Sequence, residues 1–389
     1  MAENKDISSK FLIHASAWVS AMRTVSKAVI NKPVLPVLEN ICVRIKGDVL
    51  FAEAGDTAIW VAACRDLVEG GYEGTFLIPA KLAAAPFVDL GDTVLTFSVQ
   101  EGSSIVAEWY GGMVSLPVLG KDDWPGMPSV EAAASLSAKM PSGDLSTALS
   151  MTDYAADKSE VRPALAGVLF EIYGGDGGMC LVATDAHRLV VTTLRHGGGK
   201  AAFTANVPRR AAQMLRVLLT LGETVTMTMS QDGHMASFRL RDDGFLTMTT
   251  RLVEGKYPAW RSVIPANPTI SVDIPVFELA PAVARAAACT DSQGHVRLSL
   301  DKDIMAITAQ DLGFQTYGEM EVPCPYDGPH FEIGVKAAHL AETMEKMPSR
   351  KLRFSFTDAT RSILVQSADE EADTRSVHTM SIVMPVMIS

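Results

Sequence analysis

The residues best placed to do chemistry stand in the segment 182–189, where an aspartate and a histidine are separated by one residue. Asp185 and His187, joined by His295 or His378, offer carboxylate and imidazole ligands for a metal ion, whose bound water could drive hydrolysis. Asp-x-His is a weak pattern, and the chain has neither a His-Glu-x-x-His motif nor clustered Cys and His residues. A metal-dependent hydrolase is therefore kept only as the alternative. We predict no catalytic residue, no metal and no cofactor.

Two glycine-rich segments, 174–178 and 197–200, could cradle a phosphate, but neither fits the frame of a nucleotide-binding loop. A P-loop needs G-x-x-x-x-G-K-[ST], and Lys200 is followed by Ala201. We interpret both segments as turns. Five cysteines are scattered without a Cys-x-x-Cys pair, which favours free thiols in a reducing compartment over disulfides or a zinc site.

The chain as a whole is acidic, yet its cations gather in segments with helical spacing. The formal net charge is −11, which taken alone argues against binding to a nucleic acid. Residues 16–32 and 207–221 each contain three cations and no acid. This separation predicts a basic helical surface that faces a polyanion while the rest of the molecule repels it. An acidic scaffold without a role on DNA is the other interpretation.

Nothing in the sequence predicts a membrane span or export. The chain has no run of eighteen uncharged apolar residues. Its first ten residues are polar and lack the apolar core of a signal peptide. We therefore expect a cytoplasmic protein with no membrane partner.

These segments belong to a pattern that occurs three times, with a period of about 127 residues. Each copy has a short extended segment that begins at Phe76, Phe203 or Phe331 and leads into a segment with helical spacing. A β-like stretch and an apolar closing strand follow in every copy. Solenoid repeats are only about 20–50 residues long, so this period indicates three copies of a whole domain.

The sequence therefore predicts an α+β fold with three tandem domains, at residues 1–128, 129–260 and 261–389. Each domain would pack two helices on antiparallel sheets, because short turns join its strands and parallel strands need long crossovers. Pro86 and Pro281 fall inside two of the helices, where we expect a kink or a shortened helix. The predicted helices are 16–31 with Ser16 as N-cap, a second helix from residue 79, 142–157, 208–221, 275–290 and 335–347.

Four motifs make the chain resemble the bacterial sliding clamp, the β subunit of the replicative DNA polymerase. They occur in the family's order and spacing, and the resemblance covers residues 11–388. The motifs are KPVLPVLENI at 32–41, VATDAHRL at 182–189, RLVEGKYP at 251–258 with Trp260, and VMPV at 383–386.

The resemblance implies a processivity factor that is not an enzyme. Two chains would join head to tail into a ring of six domains, with helices around the hole and sheets outside. Double-stranded DNA would pass through without its sequence being read. The ring would tether the polymerase catalytic subunit, the clamp loader and repair proteins that carry clamp-binding peptides, so that each dissociation is followed by local rebinding.

By position, the resemblance assigns three sets of residues. The cations that face DNA are Arg23 and Lys27, which share a helix face by spacing, with Lys32, Lys81, Arg209, Arg210 and Arg216. The partner-peptide cleft, with His187 and Arg188 as its polar edges, is formed by Leu165, Thr184, His187, Arg188, Leu189, Pro258, Val263, Ser362, Ile382, Met384, Pro385 and Val386. The dimer interface joins Val114 and Leu116, on an edge strand at 114–119, to Ala288 and Cys289, on an edge at 288–297.

Several positions depart from the family pattern. Ala186 stands where glycine is usual, Ser262 where arginine is common, and the tail at 386–389 lacks a penultimate arginine. These departures leave the peptide preference open. Ala288 and Cys289 are smaller than the usual aliphatic residues and would bury less area, at about 25 cal/mol per Å². We therefore expect a ring that opens more readily.

Overall fold

A computed structural model describes residues 10–100, 104–130, 132–159, 161–175, 177–240, 246–369 and 376–387. Within these residues one order of elements occurs three times: a strand, a helix, four strands, a second helix and three strands. The second copy has one additional two-residue strand. The predicted threefold repeat of an α+β domain is confirmed, while its exact boundaries stay a prediction.

The first copy runs through the following elements: β1 (Lys10–His14), α1 (Ala15–Val25), β2 (Asn40–Lys46), β3 (Val49–Gly55), β4 (Ile59–Asp66), β5 (Gly74–Pro79), α2 (Ala80–Ala83), β6 (Val94–Gln100), β7 (Ser104–Trp109) and β8 (Gly112–Pro117). The second copy has β9 (Ala132–Pro141), α3 (Ser142–Thr152), β10 (Gly167–Ile172), β11 (Met179–Thr184), β12 (Arg188–Leu194), β13 (Gly198–Gly199), β14 (Phe203–Pro208), α4 (Arg209–Leu218), β15 (Thr224–Ser230), β16 (Met235–Arg239) and β17 (Leu246–Arg251). The third has β18 (Ile270–Pro275), α5 (Val276–Ala287), β19 (His295–Asp301), β20 (Ile304–Asp311), β21 (Thr316–Pro323), β22 (Phe331–Lys336), α6 (Ala337–Lys346), β23 (Lys351–Phe356), β24 (Ile363–Ser367) and β25 (Val377–Val383).

The chain folds into two compact units, the first formed by Met1–Gly143 with Val217–Leu252. One of its sheets has the order β1-β6-β7-β8, and the other runs β9-β15-β16-β17-β4-β3-β2-β5. Trp18 on α1 is fully buried, packs on Phe97 with ring centroids 4.3 Å apart, and donates its indole N–H to the Ala83 carbonyl at 2.7 Å. This side chain ties α1 to the end of α2 and to the four-stranded sheet.

The second unit is formed by Asp144–Arg216 with Val253–Ser389. Its larger sheet has the order β14-β10-β11-β12-β25-β24-β23-β18, and its smaller sheet runs β21-β20-β19-β22. The pairing of β12 with β25 is antiparallel, as is that of β17 with β4 in the first unit. In each unit, therefore, one continuous sheet joins two successive copies of the repeat.

The helices are shorter than predicted, and the predicted N-cap of α1 is wrong. The predicted helix 16–31 ends at Val25 and continues only as a 3-10 turn, Ser26–Ala28. His14, not Ser16, occupies the N-cap of α1, without a side-chain hydrogen bond. Ser16 instead donates its hydroxyl to the Asp92 carboxylate at 2.8 Å.

The two prolines behave differently. Pro86 lies in the 3-10 turn Ala85–Phe87, after an α2 of only four residues, so the expected shortening is confirmed there. Pro281 lies inside α5, a helix of twelve residues that is not interrupted by it. Its nitrogen cannot donate to the carbonyl four residues earlier, at Phe277. Among the described residues, no helix is long and apolar enough to cross a membrane.

We predict that Pro281→Ala raises the free energy of unfolding by about 1–2 kcal/mol, because it restores one helical hydrogen bond and removes a ring clash. Pro86→Ala is the matched control and should change stability by less than about 0.5 kcal/mol, since its ring stands at the start of a 3-10 turn. Urea titration measures both values. An unchanged or lower stability for Pro281→Ala would show that the helix has fully accommodated the proline.

Candidate functional site

The candidate site is built on the strand pair that joins the second and third copies of the repeat. In the β12–β25 ladder Leu189 lies opposite Ile382, and Arg188 lies opposite Val383. On β11, Thr184 lies opposite Leu189. Residues of two separate sequence motifs, 182–189 and 383–386, are thus placed on neighbouring strands by backbone hydrogen bonds.

One face of this sheet carries an apolar cluster that is covered by the chain between β17 and β18. Leu189 and Ile382 are buried in it together with Trp260. Tyr257 packs on the same cluster and donates its hydroxyl to the Val182 carbonyl at 3.3 Å; burial raises the pKa of this phenol. The covering segment is therefore fixed by both apolar and polar contacts.

The edge of this cluster is partly open to solvent. Val263 is 46% exposed and Met384 is 38% exposed, and Pro258 is also exposed. The buried Ser362 donates its hydroxyl to the Val263 carbonyl at 3.2 Å. Pro258 and Val263 are the sequence neighbours of Tyr257 and Ile264, which pack on the cluster, and Met384 follows the strand that carries Ile382. We call Pro258, Val263 and Met384 the apolar strip, since each offers uncovered apolar surface next to a residue of this region.

The remaining cleft candidates lie at different depths around the strip. Leu165 is 7% exposed, in the 3-10 turn that precedes β10. The backbone N–H of Met384 donates to the His187 carbonyl at 2.8 Å, and that of Val386 donates to the Gly334 carbonyl at 2.9 Å. Pro385, half-buried, lies between these two anchors. Of the unusual tail, Ile388 and Ser389 lie outside the described residues.

The turn from β11 to β12 is shaped by Thr184 and Asp185. The Thr184 hydroxyl donates to the Arg188 carbonyl at 2.6 Å and accepts the Ala186 N–H at 3.1 Å. One carboxylate oxygen of Asp185 accepts the backbone N–H groups of His187 and Arg188, each at 3.0 Å. Ala186 adopts a left-handed conformation with φ of 72°. Glycine adopts that conformation without strain, which gives a physical reason for glycine at this position in the resembled family.

Arg188 differs from the polar edge that the sequence predicted. Its side chain is buried, because neighbours along a strand point to opposite faces and Leu189 already faces the apolar cluster. The guanidinium bonds to Asp185 at 3.1 Å and to Glu342 of α6, and it lies 5.0 Å from the centre of the Tyr154 ring. Arg188 therefore connects the β11–β12 turn to α6 and to Tyr154 on the face of the sheet opposite the apolar cluster.

Arg261 and His339 are polar residues near this region that the sequence analysis missed. Arg261 stacks on the Trp260 ring, 4.1 Å from its centre, and pairs with both Glu171 oxygens at 2.8 and 3.1 Å. His339, in the first turn of α6, lies beside the His187 ring. The motif 251–258 pointed to the covering segment, but no spacing in the sequence links Arg261 to Glu171 or His187 to His339.

The hydrolase alternative finds no support in the geometry. Both oxygens of Asp185 are engaged by backbone N–H groups and by Arg188. Within the described part of the chain, no three His, Cys, Asp or Glu side chains come together as a metal site. The five cysteines are free, and burial raises the pKa of Cys180 to about 11 and that of Cys42 to about 12. These two thiols are therefore protonated and unreactive at neutral pH.

The candidate DNA-facing cations fall into two groups. Arg23, Lys27, Lys32, Lys81 and Arg210 have exposed side chains. Arg209 and Arg216 are half-buried at the two ends of α4. Arg216 pairs with Asp153, which is buried, at 3.5 Å. Burial raises the pKa of Asp153, and the charges of Arg216 and Arg209 partly oppose that shift. These two arginines therefore stabilise a buried carboxylate.

The interface candidates also need correction. Leu116 is 2% exposed and belongs to the core of its own unit, because its position on β8 points inward. Val114 is half-buried on the same strand. Ala288 is exposed, and Cys289 lies beside β21, whose Thr316 hydroxyl donates to the Cys289 carbonyl at 3.4 Å. The expected edge at 288–297 is wrong, since β19 is paired on both sides and β21 is the outer strand.

Comparisons with known proteins agree over almost the whole chain. Family models of the DNA polymerase III beta subunit match at residues 9–128 for the N-terminal domain, 139–259 for the central domain and 261–382 for the C-terminal domain. The beta sliding clamp of Vibrio cholerae is 27% identical over 381 residues, which cover 97% of this chain and 100% of that protein. The beta sliding clamp of Proteus mirabilis is 26% identical and covers 93% of this chain and 97% of its own length.

Solved structures agree with these matches. A crystal structure of the DNA polymerase sliding clamp from Pseudomonas aeruginosa with ligand is 25% identical and superimposes with a TM-score of 0.88, over 97% of this chain and 100% of that one. Another structure of the clamp from that organism, bound to griselimycin, gives a TM-score of 0.87 at 25% identity, over 97% of this chain and 99% of that one. The resemblance inferred from the four motifs is confirmed.

We predict that Ala186→Gly raises the free energy of unfolding by about 0.5–1 kcal/mol. A left-handed alanine costs about 1–2 kcal/mol, and the extra freedom of glycine in the unfolded chain removes part of that gain. The matched control is Ala166→Gly, where φ is −77° and the same change should lower stability. Thermal unfolding of both variants measures the difference, and destabilisation by Ala186→Gly would contradict this account of the turn.

We also predict a pH-dependent loss of stability for Arg216→Met. The raised pKa of Asp153 means that the ionised carboxylate weakens the fold as pH rises, and Arg216 offsets part of this cost. At pH 7 we expect a loss of about 1–2 kcal/mol. The loss shrinks as pH falls through the raised pKa of Asp153 and disappears below about pH 3, where Asp153 is protonated in the folded and the unfolded protein. Arg23→Met, at an exposed position of α1, is the control without this dependence. An equal loss at both pH values would exclude the Asp153 pairing as its cause.

Proposed function

We propose that this chain, which belongs to the DNA polymerase III beta subunit family, closes with a second copy into a ring around duplex DNA. It is a sliding clamp, a processivity factor without catalytic activity. Its partners are double-stranded DNA, the polymerase catalytic subunit, the clamp loader and repair proteins with clamp-binding peptides. Because a bacterial clamp acts on the chromosome, its proposed location is the cytoplasm.

The observation that carries the ring is a rule of strand pairing between copies of the repeat. The last strand of the second copy, β17, pairs with β4, the fourth strand of the first. In the same way β25, the last strand of the third copy, pairs with β12, the fourth strand of the second. This rule leaves β8 and β21 as the corresponding last and fourth strands, and each is the outermost strand of its sheet. In a head-to-tail dimer, β8 of each chain pairs with β21 of the other.

The exposed side chains at these two strands suit such an interface. Met113 on β8 is 63% exposed and Tyr110, just before it, is fully exposed. Tyr317 on β21 is 63% exposed and Phe314, just before that strand, is 85% exposed. These side chains supply apolar area beside Val114, Ala288 and Cys289. Unpaired edge strands flanked by such residues invite association, and symmetric closure satisfies both edges.

The exposed cations supply the weak attraction that sliding requires. Arg23 and Lys27 near the end of α1, Lys81 on α2 and Arg210 on α4 would face phosphates through water, with Lys32 from the turn before β2. Such contacts carry no sequence information and weaken steeply with salt. Arg216 contributes less to DNA because it is paired with the buried Asp153, and the charge of Arg209 also acts on this carboxylate.

The apolar strip is the proposed docking place for partner peptides. Pro258, Val263 and Met384 offer uncovered apolar surface, and the cluster below them is held by the covering segment and the sheet. Short peptides with leucine and phenylalanine anchors would bury that surface, and a few anchors usually dominate such binding. Arg261 is already neutralised by Glu171, so this end of the strip gives little selection for acidic peptides.

We predict that the wild-type protein, loaded on a nicked circular duplex, stays bound through gel filtration at high salt and is lost when the circle is cut.

Met113→Lys would bury an unpaired charge at the dimer interface and should weaken dimerisation at least tenfold. Sedimentation should give twice the chain mass of 41.7 kDa for the wild type and a monomer fraction for the variant. Met387→Lys, at a 90% exposed position, is the control. A dimeric Met113→Lys retained on circles would contradict the β8–β21 interface.

We predict that Val263→Asp weakens binding of a Gln-Leu-x-Leu-Phe peptide at least tenfold, because a charge replaces an apolar contact in the strip. Val34→Asp is the matched control, since Val34 is 91% exposed and lies in the other unit. Deleting residues 384–389 should weaken binding by a similar factor. Calorimetric titration measures all three, and equal affinities for wild type and Val263→Asp would place the peptide elsewhere.

A further inference from the structure

Two imidazoles stand together at the polar end of the apolar strip. His187, in the turn between β11 and β12, and His339, in the first turn of α6, have ring centroids 6.0 Å apart with planes inclined by 35°. His187 is exposed, and its carbonyl accepts the backbone N–H of Met384. The pair therefore begins where the strip ends, within reach of a peptide seated on Met384.

Around this pair, the acidic groups already have hydrogen-bond partners, whereas three basic side chains have none in the part of the chain that the structure describes. Asp185 and Glu342 both bond to the buried Arg188 guanidinium. Lys336, the residue before α6, is exposed. Across the described ranges, neither imidazole nor the Lys336 ammonium has a hydrogen-bond or ion-pair acceptor. Three polar side chains thus offer donors to a ligand, while the nearby carboxylates are already in use.

The charges around His339 also favour the binding of an anion. Burial, followed by the charge of Arg188, lowers the pKa of His339, and Lys336 and His187 act in the same sense. Only Asp185 opposes them. A site where positive neighbours outweigh negative ones disfavours a proton but favours an anion. A docked carboxylate would reverse the effect, since it stabilises imidazolium by a charge-assisted hydrogen bond.

Building on the proposed peptide strip, we propose that His187, His339 and Lys336 form a specificity-determining rim that binds an aspartate or glutamate side chain of the partner peptide. The apolar anchors of the peptide set the basic affinity, and the rim selects among peptides that carry or lack an acid beside those anchors. Because histidine titrates between about pH 5 and 8, this selection strengthens as pH falls.

The test compares peptides that differ by one charge. Gln-Leu-x-Leu-Phe peptides with Glu or Gln directly before or after the five residues would be titrated by calorimetry at about pH 6 and about pH 8. At the lower pH we expect one Glu peptide to bind about five- to tenfold more tightly than its Gln partner. At the higher pH the ratio should fall to about twofold, which Lys336 alone sustains.

Two variants and one control separate the rim from the strip. His339→Phe keeps a flat ring but removes one of the two imidazole donors, so it should retain affinity for the Gln peptides and weaken the pH-dependent preference. Lys336→Gln should remove the residual preference at about pH 8. His196→Phe, an exposed histidine in the same unit, should behave like the wild type.

The outcomes distinguish this proposal from the proposed function. Equal affinities of wild type for Glu and Gln peptides at both pH values, with either placement of the acid, would overturn the rim and leave the strip intact. A preference that survives His339→Phe with its pH dependence unchanged would also overturn it. Failure of every peptide to bind would instead reject the strip as the peptide site.

Discussion

Backbone hydrogen bonding between the last strand of one repeat and the fourth strand of the preceding repeat is the interaction on which this molecule depends. No repeat closes its own sheet, so each leaves unpaired N–H and C=O groups at an edge. Within the chain, β4–β17 and β12–β25 satisfy two such junctions. The third junction leaves β8 and β21, and the cost of unpaired polar edges makes their pairing between chains the natural completion. In the proposed dimer, association of the two chains follows the same rule that joins the repeats.

The β12–β25 junction also creates the surface that partners would use. Two motifs almost two hundred residues apart in sequence become neighbours because Arg188 and Val383 are opposite each other in the ladder. One face of that ladder collects apolar side chains under Trp260. The other face holds the buried Arg188 with Asp185 and Glu342, which fixes the turn that carries His187. The ion-pair network on the opposite face of the sheet therefore supports the recognition surface, because it holds the turn that carries His187 in position.

Charge in this protein serves two purposes that the net value conceals. In the proposed ring, the exposed cations on α1 and α2 face a polyanion. Arg209 and Arg216, at the ends of α4, instead compensate the buried Asp153 carboxylate. A buried carboxylate left without them would weaken the fold at neutral pH. In the proposed ring, the most basic helical segment, 207–221, therefore offers only part of its positive charge to DNA.

The repeat, the antiparallel α+β architecture and the family could all be predicted from the sequence, because they depend on local patterning and on motifs whose residue types can be read in order. The sequence also placed Thr184, Leu189, Ile382 and Met384 near one site through the resemblance. It did not locate the α1 cap, since Ser16 finds a better partner in Asp92, distant in sequence. Nor did it show that Leu116 faces inward or that Arg188 is buried. A one-residue step along a strand reverses the face, and only the register of the folded sheet decides which face is covered.

Several side-chain pairs that shape the charge of this protein could be identified only in the folded structure. Arg261 meets Glu171, Arg216 meets Asp153, and His187 meets His339 across distances in sequence that no periodicity connects. Such contacts depend on how strands and helices from different repeats are brought together. Residue types and spacing fix which elements form, because those preferences are local. Which side chains then share a buried charge or a ligand-facing rim is settled by packing, because contacts between distant residues leave no signal in local spacing along the chain.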